Sequence, residues 1–188
     1  MGSAIADQRK FAMTIARVAL AIGFTTVLTA PLRAEQWASS YTTHDYAKCR
    51  KDKGNGDPVS VHRCPGKAGI SVIWTADDDS SAVEFGTKAL QETISDKAAF
   101  FEAGRTIEWR GPKGGKPQAA ILRYATGTSV GKLDGSRLVV HRLAADGAAS
   151  CIIGSVDARK PDANAAARRL ADEKAPSFRC GQDARSED

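Results

Sequence analysis

The chain has 188 residues, 42% hydrophobic and 26% charged, with a formal net charge of +5. That length is enough for one domain of ordinary size and little more. Four basic residues (Arg9, Lys10, Arg17, Arg33) and one acid (Asp7) lie within residues 1–34, so the remainder holds 23 basic and 21 acidic residues, a charge of +2; this argues against nucleic-acid binding, which needs a concentrated basic face.

Residues 1–34 read as a secretory signal peptide. A basic start precedes the uncharged, mostly apolar run Val18–Ala30, and Pro31-Leu-Arg-Ala34 ends on a small residue. Cleavage is expected after Ala34, although Leu32 stands where a small residue is preferred, and Met13 is an alternative start. The apolar run falls short of the ~20 residues a bilayer span needs, so no stable membrane anchor is expected after cleavage. A single domain is expected over 35–181, with residues 182–188 fraying. Cys49, Cys64, Cys151 and Cys180 all lie beyond the leader. An even count in an exported chain reads as two disulfides, and three pairings are open. The expected one joins nearest neighbours, Cys49–Cys64 and Cys151–Cys180, each worth about 3 kcal/mol through the unfolded state.

In chain order, Trp37 and Tyr41 come first. Their spacing fits one face of a short helix, and they are expected as buried anchors, with an exposed aromatic platform as the alternative. Lys48–Pro58 is a polar loop turning at Gly54-Asn55-Gly56-Asp57. Val59–Cys64 alternates as a strand, Pro65-Gly66 breaks it, and Ile70–Trp74 is the next strand. Asp77–Ser81 is a turn and Ala82–Phe85 a further strand. Leu90, Ile94, Ala98 and Phe101 recur at three- and four-residue intervals, which predicts a helix over residues 88–101.

Four apolar runs follow: Thr106–Arg110, Gln118–Tyr124, Arg137–Leu143 and Ser150–Val156. Turn-rich segments separate them, the sharpest being Asp146-Gly147, where a tight hairpin tolerates φ > 0. They predict an antiparallel meander, with Arg137–Leu143, apolar on both faces, at its centre. Asp162 caps a helix running to Lys174, which Pro176 stops. Its thin apolar face (Ala163, Ala166, Ala167, Leu170) suits close approach to a sheet. Phe178 and Cys180 bring the chain back. The fold class is therefore α+β: an antiparallel meander, a C-terminal helix, a second helix near residues 88–101 and two disulfides.

Most catalytic patterns are absent. Gly127–Lys132 is one residue short of a phosphate loop, and Leu133 replaces its hydroxyl residue. Asp77-Asp78-Asp79 lacks the glycine and the distal glutamate of a calcium loop and reads as a solvated turn. No serine-nucleophile elbow and no zinc-protease helix motif occurs. His44, Cys49, His62 and Cys64 match no standard zinc spacing, and a disulfide is the preferred use of those thiols. No metal, cofactor or catalytic residue is assigned. His141, in the most apolar strand, is either a hydrogen-bonded core histidine or a base without an identifiable acid partner. Arg110, Arg123 and Arg142 come from three neighbouring strands. Projecting from one face, they would form an anionic-ligand site; the alternative is an ordinary solvated face.

Trp37 with Tyr41, Arg63-Cys-Pro-Gly66, Thr106-Ile-Glu-Trp-Arg110, Ile121-Leu-Arg-Tyr124, and Asp162-Ala-Asn-Ala165 before Phe178-Arg-Cys180 resemble a group of small exported proteins of Gram-negative bacteria with no assigned activity. The resemblance implies a periplasmic home and supplies no functional residue. The leading expectation is a non-enzymatic periplasmic binding or interaction module for an envelope component or another protein. A small hydrolase using His141 and a structural envelope factor are the alternatives.

Overall fold

The computed structural model describes residues 36–53, 58–87, 92–144 and 150–187. The strands are β1 (Trp37–Thr43), β2 (Arg50–Lys51), β3 (Ser60–Pro65), β4 (Ser71–Ala76), β5 (Ser81–Phe85), β6 (Phe100–Pro112), β7 (Ala119–Gly127), β8 (Gly135–Arg142) and β9 (Cys151–Asp157); helix α1 (Ala163–Lys174) and β10 (Ser186–Glu187) complete the order. They form a six-stranded sheet, β1-β6-β7-β8-β9-β10, and a four-stranded sheet, β2-β3-β4-β5. Every pairing is antiparallel except β10 on β9.

The alternation along β8 explains the layering. Leu138 and Val140 join the core beneath α1, while Val139 and Leu143 join the core beneath the small sheet. A strand covered on both sides reads as an unbroken apolar run, which is what Leu138–Val140 is. The large sheet thus lies between the helix and the small sheet. Trp109, Ile107 and Leu122 face the small sheet and are at most 1% exposed. Ala163, Ala167 and Ala171 put the helix backbone close to the opposite face. Two side chains dock the small sheet. The Val83 N–H donates to Tyr124 Oη at 2.9 Å, and the Ala103 N–H to Ser81 Oγ at 3.0 Å.

Both disulfides pair nearest neighbours. Cys49–Cys64 ties the start of β2 to β3, and Cys151–Cys180 ties β9 to the segment after α1. No helix of the described residues is long and apolar enough to cross a membrane.

Three expectations are corrected. Trp37–Tyr41 belongs to a strand rather than a helix, and Tyr41 is 57% exposed rather than buried. Residues four apart share a face in a strand as well as in a helix, so their spacing could not discriminate. The helix expected over residues 88–101 is not formed in its described part. Residues 92–99 make turns, with one closed by the Ala98 N–H on Ile94 O at 3.1 Å, and Phe100 already begins β6. Ile94 and Phe101 are buried in one core from two different elements, which imitates a helical period. Finally, in the segment after Gly181, expected to fray, Ser186 and Glu187 pair with Gly154 and Ser155. The leader expected over residues 1–34, residues 88–91 of the expected helix, the Gly54–Asp57 turn and the Asp146-Gly147 turn lie outside the described residues.

Candidate functional site

A groove opens where the β4–β5 turn meets β6. In that turn Asp77 Oδ1 accepts the N–H groups of Asp79 (3.0 Å) and Ser80 (2.6 Å). An aspartate that satisfies the backbone two and three residues on fixes a turn locally. Here it leaves Asp78 and Asp79 as the projecting residues. Glu102 and Arg105 on β6, and Asp45, just after β1, also line the groove.

Two aromatic residues are among those that line the groove. Tyr46 and Trp74 stack with ring centres 5.5 Å apart and planes 8° from parallel. Tyr46 Oη donates to the Gly104 carbonyl at 2.8 Å, and burial holds its hydroxyl protonated well above the ordinary tyrosine range. The same ladder continues to His44, stacked on Tyr46 at 6.0 Å, and to His62, edge-on to Trp74 at 5.4 Å. The groove encloses about 400 Å³. A second lobe of about 480 Å³ adjoins it, shares Asp78, Asp79 and Glu102, and ends on Phe100, Val130 and Leu133. Val130 is 69% exposed. Volumes of this order suit a small molecule or a few residues of peptide.

Charge distinguishes the site. Five carboxylates and one guanidinium line the first lobe, in a chain whose part beyond the expected leader is net positive. Asp45 pairs with Lys48 at 3.2 Å, and Asp77 is engaged by its own turn. Asp78, Asp79 and Glu102 are exposed, and no ion pair joins them to another described residue. Among the described residues no cluster of His, Cys, Asp and Glu is arranged to hold a metal ion.

The residues singled out from sequence lie elsewhere. Arg110, Arg123 and Arg142 do share a sheet face, but it is the face that α1 covers. Arg110 donates to both carboxylate oxygens of Asp172 at 2.6 Å, and Arg142 Nε donates to the Ala175 carbonyl at 3.2 Å. Arg123 remains at the surface, bonded to Ser136 Oγ at 3.1 Å. Two of the three therefore clamp the helix. Beside them Glu108, only 8% exposed, accepts from Ser39 Oγ and from Arg168 Nε (2.7 Å). Arg168 also reaches Tyr41 Oη at 3.0 Å, so the exposed ring of Tyr41 is held by the helix.

His141 is 3% exposed and packs edge-on against Phe85 at 5.0 Å. Its Nε2 has no hydrogen-bond partner. Glu84, Glu92 and Ser150 line the void beside it, yet that void is about 10 Å³, room for one water at most. Burial and the positive charge of Arg185 hold the imidazole pKa down to about 3, so it is neutral at physiological pH. His44 Nε2 lies 2.8 Å from Thr42 Oγ1, His62 packs on Trp74, and Cys49 is bonded to Cys64, so the four groups considered for zinc are used otherwise.

The acidic groove was not anticipated. Asp77–Asp79 was visible as a turn, but nothing local signals that Asp45 and Glu102 meet it across the fold. No protein-family model, no curated protein and no solved structure matches this chain.

Proposed function

We propose that this chain is an exported, periplasmic binding module without catalytic activity, and that its groove takes a cationic ligand with an apolar part, such as a lysine- or arginine-bearing peptide segment of an envelope protein. The observation that carries this reading is the set of carboxylates, Asp78, Asp79 and Glu102, that face the groove unneutralised beside the Trp74–Tyr46 stack. Carboxylates attract the cation and steer its approach. An aromatic surface next to them adds cation–aromatic attraction and apolar contact. The second lobe, with Phe100, Val130 and Leu133, accepts the ligand's apolar portion. The two disulfides are compatible with an oxidising compartment, where such bridges persist. The signal-peptide pattern of residues 1–34 and the resemblance to small exported proteins support the same address.

The test is a calorimetric titration of the oxidised protein, leader removed, with a short peptide of lysines and one phenylalanine. Micromolar binding is expected at low ionic strength, weakening about tenfold or more at physiological salt as the Debye length shrinks. The triple variant D78N/D79N/E102Q changes only exposed side chains, so it keeps the fold and is expected to lose the binding. Unchanged affinity in that variant, or equal binding of a glutamate-for-lysine peptide, would refute the reading.

A further inference from the structure

The open edge of β9 is filled by the chain's own Ser186 and Glu187, the one parallel pairing among the described strands. Three features of that edge read the segment lying on it. The first is room for a backbone. A Cβ at Gly154 would stand 2.2 Å from the Ser186 carbonyl oxygen and 2.9 Å from Leu170 Cδ2, so any larger residue would expel the incoming strand.

The second feature is a seat for a guanidinium. Arg185 Nη2 lies 2.9 Å from Glu92 Oε2, Nη1 donates to the Thr93 carbonyl at 3.1 Å, and Asp96 is 3.9 Å away. Glu92 is itself oriented by β9, because its Oε2 accepts the Ile152 N–H at 2.7 Å. The third is a seat for a carboxylate. Glu187 Oε2 accepts from Ser155 Oγ at 3.0 Å and lies 3.3 Å from Lys97 Nζ and 3.6 Å from Arg137 Nη2. Arg137 Nε in turn donates to Ser155 Oγ at 3.0 Å. In an extended segment, residues two apart point the same way. The edge therefore reads arginine, any residue, carboxylate.

The occupant is held lightly. Its ladder spans two residues, and the side chains of Arg185 and Glu187 keep 27% and 36% of their exposure. Gly181, at φ +74°, turns the chain immediately after the Cys180 bridge. Everything before that turn stays fastened when the segment lifts.

We propose that the β9 edge is a peptide-acceptor site for an extended, parallel segment carrying arginine two residues before a carboxylate. Arg185–Glu187 is its resident occupant, displaced when such a segment of another polypeptide arrives. The site is separate from the acidic groove and does not depend on it.

The test uses a fluorescent hexapeptide with the sequence of residues 182–187, Gln-Asp-Ala-Arg-Ser-Glu, and the full chain. Weakening the internal competitor by R185A/E187A is expected to tighten peptide binding about tenfold or more over the parent chain, because more molecules present an open edge. A peptide with its arginine and terminal glutamate exchanged should bind neither chain. Adding Gly154→Val to R185A/E187A should abolish binding. Should that variant not fold, E92Q in the same background is expected to cost about tenfold by unseating the guanidinium. No binding to the R185A/E187A chain, equal binding to it and to the parent, or equal binding of the exchanged peptide would each overturn the proposal.

Discussion

Acidifying the oxidised protein from about pH 6.5 to about pH 4 is expected to cost it about 3 kcal/mol, most of it through one side chain, His141. Its imidazole is held down to about 3 in the folded state, from 6.5, first by burial and then by the charge of Arg185. The unfolded chain therefore takes up a proton across that interval and the folded chain does not. Stability is fully present above pH 6.5 and is lost as pH falls towards the folded value. The groups that bear on the ring are Glu84 on β5, Glu92 before β6 and Arg185 before β10. Neither glutamate offsets the loss of solvation. His44, also held low by burial, adds a contribution of the same sign. Asp157 and Asp183, lowered by Arg159 and Arg179, weaken the fold only at pH values below the ordinary carboxylate range. His141→Phe keeps a ring against Phe85 and removes the titration. Urea midpoints measured across this range should fall clearly less steeply for the variant. Parallel curves for the two proteins would contradict the assignment.

Loss of either disulfide is the second large effect. Cys151→Ala with Cys180→Ala opens a loop of 29 residues and is expected to cost about 3–4 kcal/mol; Cys49→Ala with Cys64→Ala opens one of 15 and is expected to cost about 3 kcal/mol. A domain of this size has a total stability of roughly 5–15 kcal/mol, so either change takes a substantial share. The first pair has a further consequence. Cys180 holds the turn from which Arg185 and Glu187 reach the β9 edge, so its loss should also loosen β10. Urea denaturation checks the cost, and hydrogen exchange at Ser186 and Glu187 checks the loosening. Midpoints equal to that of the parent protein would contradict the cost, and unchanged exchange at Ser186 and Glu187 would contradict the loosening.

Much of the architecture was legible because it is local. Leu138-Val139-Val140 is apolar at every position, and only a strand covered on both faces explains that. Asp162, the alanines after it and Pro176 mark a helix from its two ends. An even count left three cysteine pairings open, and short separations favoured the one the structure shows. What failed depended on distance in sequence. Ile94 and Phe101 mimic a helical period because a turn and a strand enter one core. Trp37 and Tyr41 share a face in either geometry. Arg110, Arg123 and Arg142 do project together, but only the placement of α1 reveals that Asp172 and the Ala175 carbonyl occupy two of them. Arg185 and Glu187 look like a solvated tail until Glu92, Lys97 and Gly154 are seen beside them. The groove is the extreme case: Asp45, Asp78 and Glu102 come from three segments that meet only in the folded chain.

The central claim, that the acidic groove is the binding surface for a cationic ligand, is tested most directly by following backbone amide and tryptophan indole resonances of the oxidised protein during titration with the lysine–phenylalanine peptide. Saturable shifts confined to Trp74, Asp78, Asp79, Glu102 and their neighbours, abolished by D78N/D79N/E102Q, are the expected result. Absence of shifts, or shifts that map to the α1 face around Arg123, would contradict it.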